Sequence, residues 1–178
     1  INWSSGDAAL MEFVGSIARL RREHPVFRRT RFFDGHPTRA HATEPVADIV
    51  WLRPDGSAMD ESDWGAGFGR TVGVFLNGQG IRERDARGER IVDRSFLVYV
   101  SAHDEPVEVT LPGAEHGARW ERLVDTSGID DPPVVDAGSQ FTLSAISLVV
   151  LREWMEAEPT LDDSVADSLS ATATAAEA

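Results

Sequence analysis

Few residues in this chain are placed to do chemistry, and their spacing limits what that chemistry is. Asp60, Glu61 and Asp63 put three carboxylates into one tetrapeptide, the kind of oxygen-rich cluster that hard cations favour. The spacing departs from a calcium loop, and the stretch reads instead as a short capped turn ahead of Trp64. Trp51 and Trp64 offer flat apolar faces of the sort that stack on sugar rings. The competing reading is a strand tryptophan in a core with a loop tryptophan covering it. A glycosidase needs two carboxyls converging across a cleft, whereas the acids here fall in loops or on wet strand faces. The histidines, His24, His36, His41, His103 and His116, have no metal-ligand spacing. Serine nucleophile motifs, phosphate-cradling glycine loops and dinucleotide fingerprints are also missing. Neither a metal nor a cofactor is expected.

The elements that position these residues begin with an amphipathic helix. Leu10, Phe13, Val14, Ile17 and Leu20 recur at offsets of three and four, while Glu12, Ser16, Arg19 and Glu23 share the opposite face. Ser4 and Asp7 read as a capping pair, and Pro25 ends the helix by removing a donor and pushing His24 out of helical geometry. A stripe of large apolar residues demands a partner surface. After an extended RRTRFF segment, the pattern becomes that of short strands divided by turns. Strands are expected at residues 49–52, 72–76, 96–100, 107–111, 119–125, 141–143 and 147–151. Asn77-Gly78 is the strongest two-residue turn signal, and residues 79–95, rich in alternating charge, are expected on the surface. About seven strands at this rhythm indicate an antiparallel sandwich rather than βαβ units.

Bulk properties narrow the function classes. The chain has 178 residues, 42% hydrophobic and 26% charged, with no cysteine, which excludes disulfides and thiolate metal sites. No window approaches the length of apolar sequence that spans a membrane, and no apolar secretory core opens the chain, so a cytoplasmic location is expected. A net charge of −13 disfavours nucleic acid and anionic membranes as partners. The arginines between Arg19 and Arg31 read as a solvated helix end and strand edge. Residues 154–178 are mostly Ala, Ser, Thr, Asp and Glu and are expected to be disordered. The opening Ile1-Asn2-Trp3, without methionine, suggests a piece cut from a longer polypeptide.

Several long strings carry a resemblance. IARLRREHPVFRRTRFFDG, VGVFLNGQGI, DRSFLVYVSAHDEPVEVTLP, WERLVDT and GSQFTLSAISLVVLRE, in this order, resemble the C-terminal end of bacterial glycogen debranching enzymes of the isoamylase type, within the α-amylase superfamily. The resemblance implies a mainly β fold: residues 1–25 as the last loop and helix of a truncated (β/α)8 barrel, 26–153 as the C-terminal antiparallel β-sandwich, and 154–178 as an acidic tail outside the pattern. It also implies cleavage of α-1,6 branch linkages of glycogen or limit dextrin by the parent enzyme. The catalytic aspartate, glutamate and second aspartate would lie on barrel strands upstream of Ile1, leaving no catalytic residue in this chain. The helix's partner would then be that upstream barrel, and Asn2 and Trp3 would be the residues bordering the substrate cleft, because such sites form at the C-terminal ends of barrel strands. Two alternatives stay open. One is a stand-alone carbohydrate-binding sandwich using Trp51, Trp64 or Trp120, and the other is a protein-interaction module docking through the apolar helix.

Overall fold

The computed structural model describes residues 6–38, 45–66, 69–128 and 134–156. Helix α1 runs Ala8–Glu23. Its cap is Asp7, whose carboxylate accepts from the amides of Ala9 and Leu10 at 2.9 and 3.1 Å, satisfying two of the donors a helix start leaves orphaned. Ser4, expected to share that role, lies outside the described residues. The helix stops at His24 because Pro25 follows, and Pro25–Arg28 form a 3-10 turn instead of passing straight into extended chain. Residues 31–33 form no strand, and Phe32 is fully solvent-exposed.

The strands among the described residues are β1 (Pro37–Thr38), β2 (Val46–Ala47), β3 (Ile49–Leu52), β4 (Thr71–Leu76), β5 (Phe96–Ser101), β6 (Val107–Thr110), β7 (Arg119–Asp125), β8 (Val134–Asp136), β9 (Gln140–Leu143) and β10 (Ser147–Glu153), with a short helix α2 (Glu61–Trp64) before β4. Six of them form one sheet in the order β3-β4-β5-β10-β7-β8, every pair antiparallel. Strands β6 and β9 pair as a separate ribbon, as do β1 and β2. All seven expected strands are present. The three others, β1, β2 and β8, are two or three residues long and offer too little alternation to read from sequence.

Because side chains alternate across a strand, the six-stranded sheet has two apolar faces. On one, Leu52, Phe75, Leu97, Tyr99, Trp120, Val149 and Leu151 pack against Val109, Leu111, Phe141 and Leu143 of the β6–β9 ribbon and its flank. This is the sandwich core, in which the Tyr99 and Phe141 rings meet edge-on at 5.6 Å. Burial pushes the Tyr99 hydroxyl pKa well up. On the other face Phe96 and Val150 meet Val26 and Ile81, with Leu20 and Phe27 packed alongside. Here the N-terminal segment covers the sheet.

Two expectations about residues 77–95 are corrected. Asn77-Gly78 does not close a two-residue hairpin, since β4 pairs with β5 nearly twenty residues later. Asn77 instead caps a 3-10 turn at Gly78–Gly80. A side chain at Gly78 would lie 2.1 Å from the backbone oxygen of Arg94, so this glycine answers to close backbone approach rather than to a hairpin turn. Nor are residues 79–95 wholly on the surface: Gly80, Ile81 and Ser95 are buried, and the Asp93 carboxylate binds the His24 ring and the Val26 amide. Gly78→Ala is therefore expected to cost about 1–3 kcal/mol of unfolding free energy in urea titrations. Gly15→Ala, in α1 with nothing near the new methyl, is expected to stabilise by about 0.5–1 kcal/mol.

Candidate functional site

The N-terminal segment is tied to the sheet by carboxylates. Asp93 receives the His24 ring at 2.8 Å and the Val26 amide at 3.0 Å, and the His24 and Phe27 rings both lie against Phe96, 4.7 and 4.6 Å away between centroids. Asp48, fully buried, pairs with the Arg29 guanidinium at 3.0 Å and accepts from the amides of Gly35 and Asp34. Glu83 accepts from the amides of Thr30 and Arg31. Burial works to raise the Glu83 pKa, but these backbone donors and the Arg29 charge outweigh it and hold the carboxyl below its usual range. The segment after the helix is thus fastened at three successive points.

The helix itself is not covered. Leu10, Met11, Phe13 and Val14 are 42–58% exposed, and α1 has no fully buried residue. Among the described residues, only its last turn reaches the body of the molecule, through Leu20. The apolar stripe read from the sequence is present, and across most of its length it faces solvent.

A second exposed apolar feature lies at the sheet edge. Trp51 on β3 is 40% exposed and Trp64 at the end of α2 is 59% exposed. Their rings meet edge-on, 5.2 Å between centroids at 84°. Between them the chain is folded tightly on itself. Asp60 and Asp63 form a reciprocal capping box on α2, and the Arg53 guanidinium bonds to both carboxylates, at 2.8 and 2.6 Å. The cluster Asp60-Glu61-Ser62-Asp63 is therefore the capped turn expected. Hydrogen bonds from Ser62, with the Arg53 charge, lower the Asp60 pKa; the Arg53 bond and the Asp60 amide lower that of Asp63. A glycosidase acid needs the opposite, a carboxyl whose pKa is raised so that it carries a proton at neutral pH.

Other candidates do not assemble. Among the described residues no group of three or more His, Cys, Asp or Glu is arranged to hold a metal, and no helix is long and apolar enough to cross a membrane. Trp120, offered as a groove residue, is fully buried against Phe75 and cannot line a surface. Asn2 and Trp3 lie outside the described residues. A cleft of about 240 Å³ is lined by Pro25, Arg29, Ile81 and Glu83 among others. The polar atoms there that lack partners, Arg29 Nε and Nη1 and Glu83 Oε2, are sealed from water and are not presented to a ligand.

An antiparallel sandwich entered through a helix whose apolar face stands open defines the class: a mainly β domain with a helical lead-in. Residues 48–151 match the family model described as isoamylase, C-terminal, and the chain belongs to that family. It is 45% identical over 157 residues to the "Glycogen operon protein GlgX homolog" of Mycobacterium tuberculosis H37Rv, an overlap covering 86% of this chain and 22% of the relative. It is 25% identical over 134 residues to the "Glycogen debranching enzyme" of Cronobacter sakazakii, covering 75% of this chain and 16% of that protein. A Yersinia pestis protein of the same description is 23% identical over 123 residues. The chain spans between about a seventh and a fifth of the length of these relatives.

The carboxylate cap predicts a pH response. Folded-state pKa values lowered in this way contribute stability above about 3.8, the ordinary aspartate value, and that contribution is lost as pH falls through the lowered values. Near-ultraviolet circular dichroism from the indole pair is expected to hold from pH 7 to 5 and to fade below about 3.8. Asp63→Asn is expected to weaken it already at pH 7.

Proposed function

We propose that this chain is the C-terminal, non-catalytic portion of a glycogen-debranching glycoside hydrolase that cleaves α-1,6 branch linkages, and that its task is to buttress the catalytic domain. The observation that carries this reading is the open stripe Leu10, Phe13, Val14 on a capped, well-formed helix. An amphipathic helix gains most of its stability from packing; the missing partner is the upstream (β/α)8 barrel, of which α1 is the last helix. The relatives' greater length leaves room for such a domain. The sandwich, in this reading, is the rigid body to which the barrel's final helix is bolted by Asp93, Asp48 and Glu83.

The catalytic acids then sit on the barrel, acting with retention through a covalent glycosyl intermediate as paired carboxylates do. Asn2 and Trp3, at the entry to α1, border the cleft formed at the barrel's C-terminal face. The parent enzyme works in the cytoplasm on glycogen or limit dextrin, and residues 1–25 and 26–153 divide between barrel and sandwich.

Two measurements test this. The 178-residue chain is expected to release no linear oligosaccharide from glycogen, and the chain joined to its upstream barrel to debranch it; release by the chain alone contradicts the reading. Phe13→Glu is expected to change the unfolding free energy of the isolated chain by less than about 0.5 kcal/mol while improving its solubility. In the joined protein the same change is expected to cost about 2–3 kcal/mol through burial of a charge. Equal effects in the two contexts contradict docking of this face.

A further inference from the structure

We infer that Trp51 and Trp64 form a surface site for a neutral, curved α-1,4-linked glucan chain, separate from any catalytic cleft. The inference rests on the reading of the parent as a glycogen-acting enzyme for the identity of the polymer, and on the geometry below for the site itself.

Tryptophan is usually much buried even when it is not fully enclosed, and this fold shows that it can enclose one: Trp120 is 0% exposed. Trp51 and Trp64 are half-open instead, side by side, within fourteen residues of one another in the chain. The segment joining them is closed by hydrogen bonds. The Met59 amide donates to the Trp51 carbonyl at 2.8 Å, the Arg53 amide to the Ser57 carbonyl at 2.8 Å, and Leu52 and Ala58 form an isolated β-bridge. Arg53 then reaches on to Asp60 and Asp63, which cap the helix bearing Trp64. Both indoles are therefore held before any ligand arrives, which lowers the ordering cost of binding.

The chemistry of such a platform is selective. A pyranose ring presents C–H groups on its faces and hydroxyls at its rim. Indole faces take the former, and the Asp60 carboxylate, exposed at the start of the helix that bears Trp64, keeps lone pairs able to accept from the latter. Two rings at 84° do not suit a flat ribbon of sugars, whose faces are parallel. They suit a chain whose successive rings are turned relative to one another, as α-1,4 linkages require. The polymer is also uncharged, so the chain's net charge of −13 does not repel it, as it would a nucleic acid or an anionic polysaccharide.

The test uses the 178-residue chain in affinity electrophoresis on glycogen and in calorimetric titration with maltoheptaose, with cellohexaose as the flat-chain control. The expected result is retardation by glycogen and saturable binding of maltoheptaose, at least tenfold weaker binding of cellohexaose, at least tenfold loss in Trp64→Ala, and partial recovery in Trp64→Phe. An unchanged urea midpoint in the Trp64 variants separates loss of binding from loss of fold. Absence of retardation, or retardation indifferent to Trp64, overturns the site. Loss of maltoheptaose binding when the upstream domain is joined also overturns it, since the indoles would then be covered by protein. None of these results bears on whether Phe13 docks on the barrel, which the charge substitution at that residue decides separately.

Discussion

The structure turns on a buried ion pair. Arg29 and Asp48, whose side chains are 4% and 0% exposed, meet at 3.0 Å between the N-terminal segment and the sheet. Asp48 stands at the junction of β2 and β3, and its carboxylate also accepts from Gly35 and Asp34. Its backbone oxygen takes the Asn77 amide at the end of β4. One residue thus joins the incoming chain, the edge of the sheet and the turn beyond it. A buried pair of this kind is no large net source of stability, but removal of either partner strands the other in a medium that cannot solvate it. Its worth is positional: the segment that follows α1 has one place to go.

That placement matters because the sheet has two apolar faces and the sandwich ribbon covers only one. Strands β6 and β9 close the side holding Tyr99 and Trp120. The opposite side is covered where Val26, Phe27 and Ile81 lie on Phe96 and Val150, and beyond that Val100 and Trp51 remain part-exposed. Among the described residues, the helix that leads into this cover is held only at its C-terminal end. A capped helix with its apolar residues outward is the feature on which the proposed docking of a second domain rests. The aromatic pair differs in kind, because a local network of Arg53, Asp60 and Asp63 builds it without help from α1.

Much of this was legible in the amino-acid sequence, and the reasons differ by element. The helix stripe, the Pro25 stop and the long alternating or apolar strands are local signals, and each appears where its pattern lies. The core tryptophan was not separable from the exposed ones, because Trp120, Trp51 and Trp64 all sit in short mixed contexts and only tertiary packing sorts them. Asn77-Gly78 misled for a related cause: the dipeptide favours a tight hairpin, but the strand that pairs with β4 comes after a long excursion, so the glycine answers to the backbone of Arg94 instead. Asp48 and Asp93 gave no signal at all. Asp48 is one acid among the apolar residues Val46, Ala47, Ile49 and Val50, Asp93 follows Ile91 and Val92, and their partners lie 19 residues earlier for Arg29 and 69 for His24.

The central claim, that the open face of α1 is an unfinished domain contact, is tested most directly by amide hydrogen exchange across residues 10–17. The account predicts that these amides exchange at least tenfold more slowly in the protein joined to its upstream domain than in the 178-residue chain, while amides of β5 and β10 keep their protection in both. Equal protection of residues 10–17 in the two forms would contradict it.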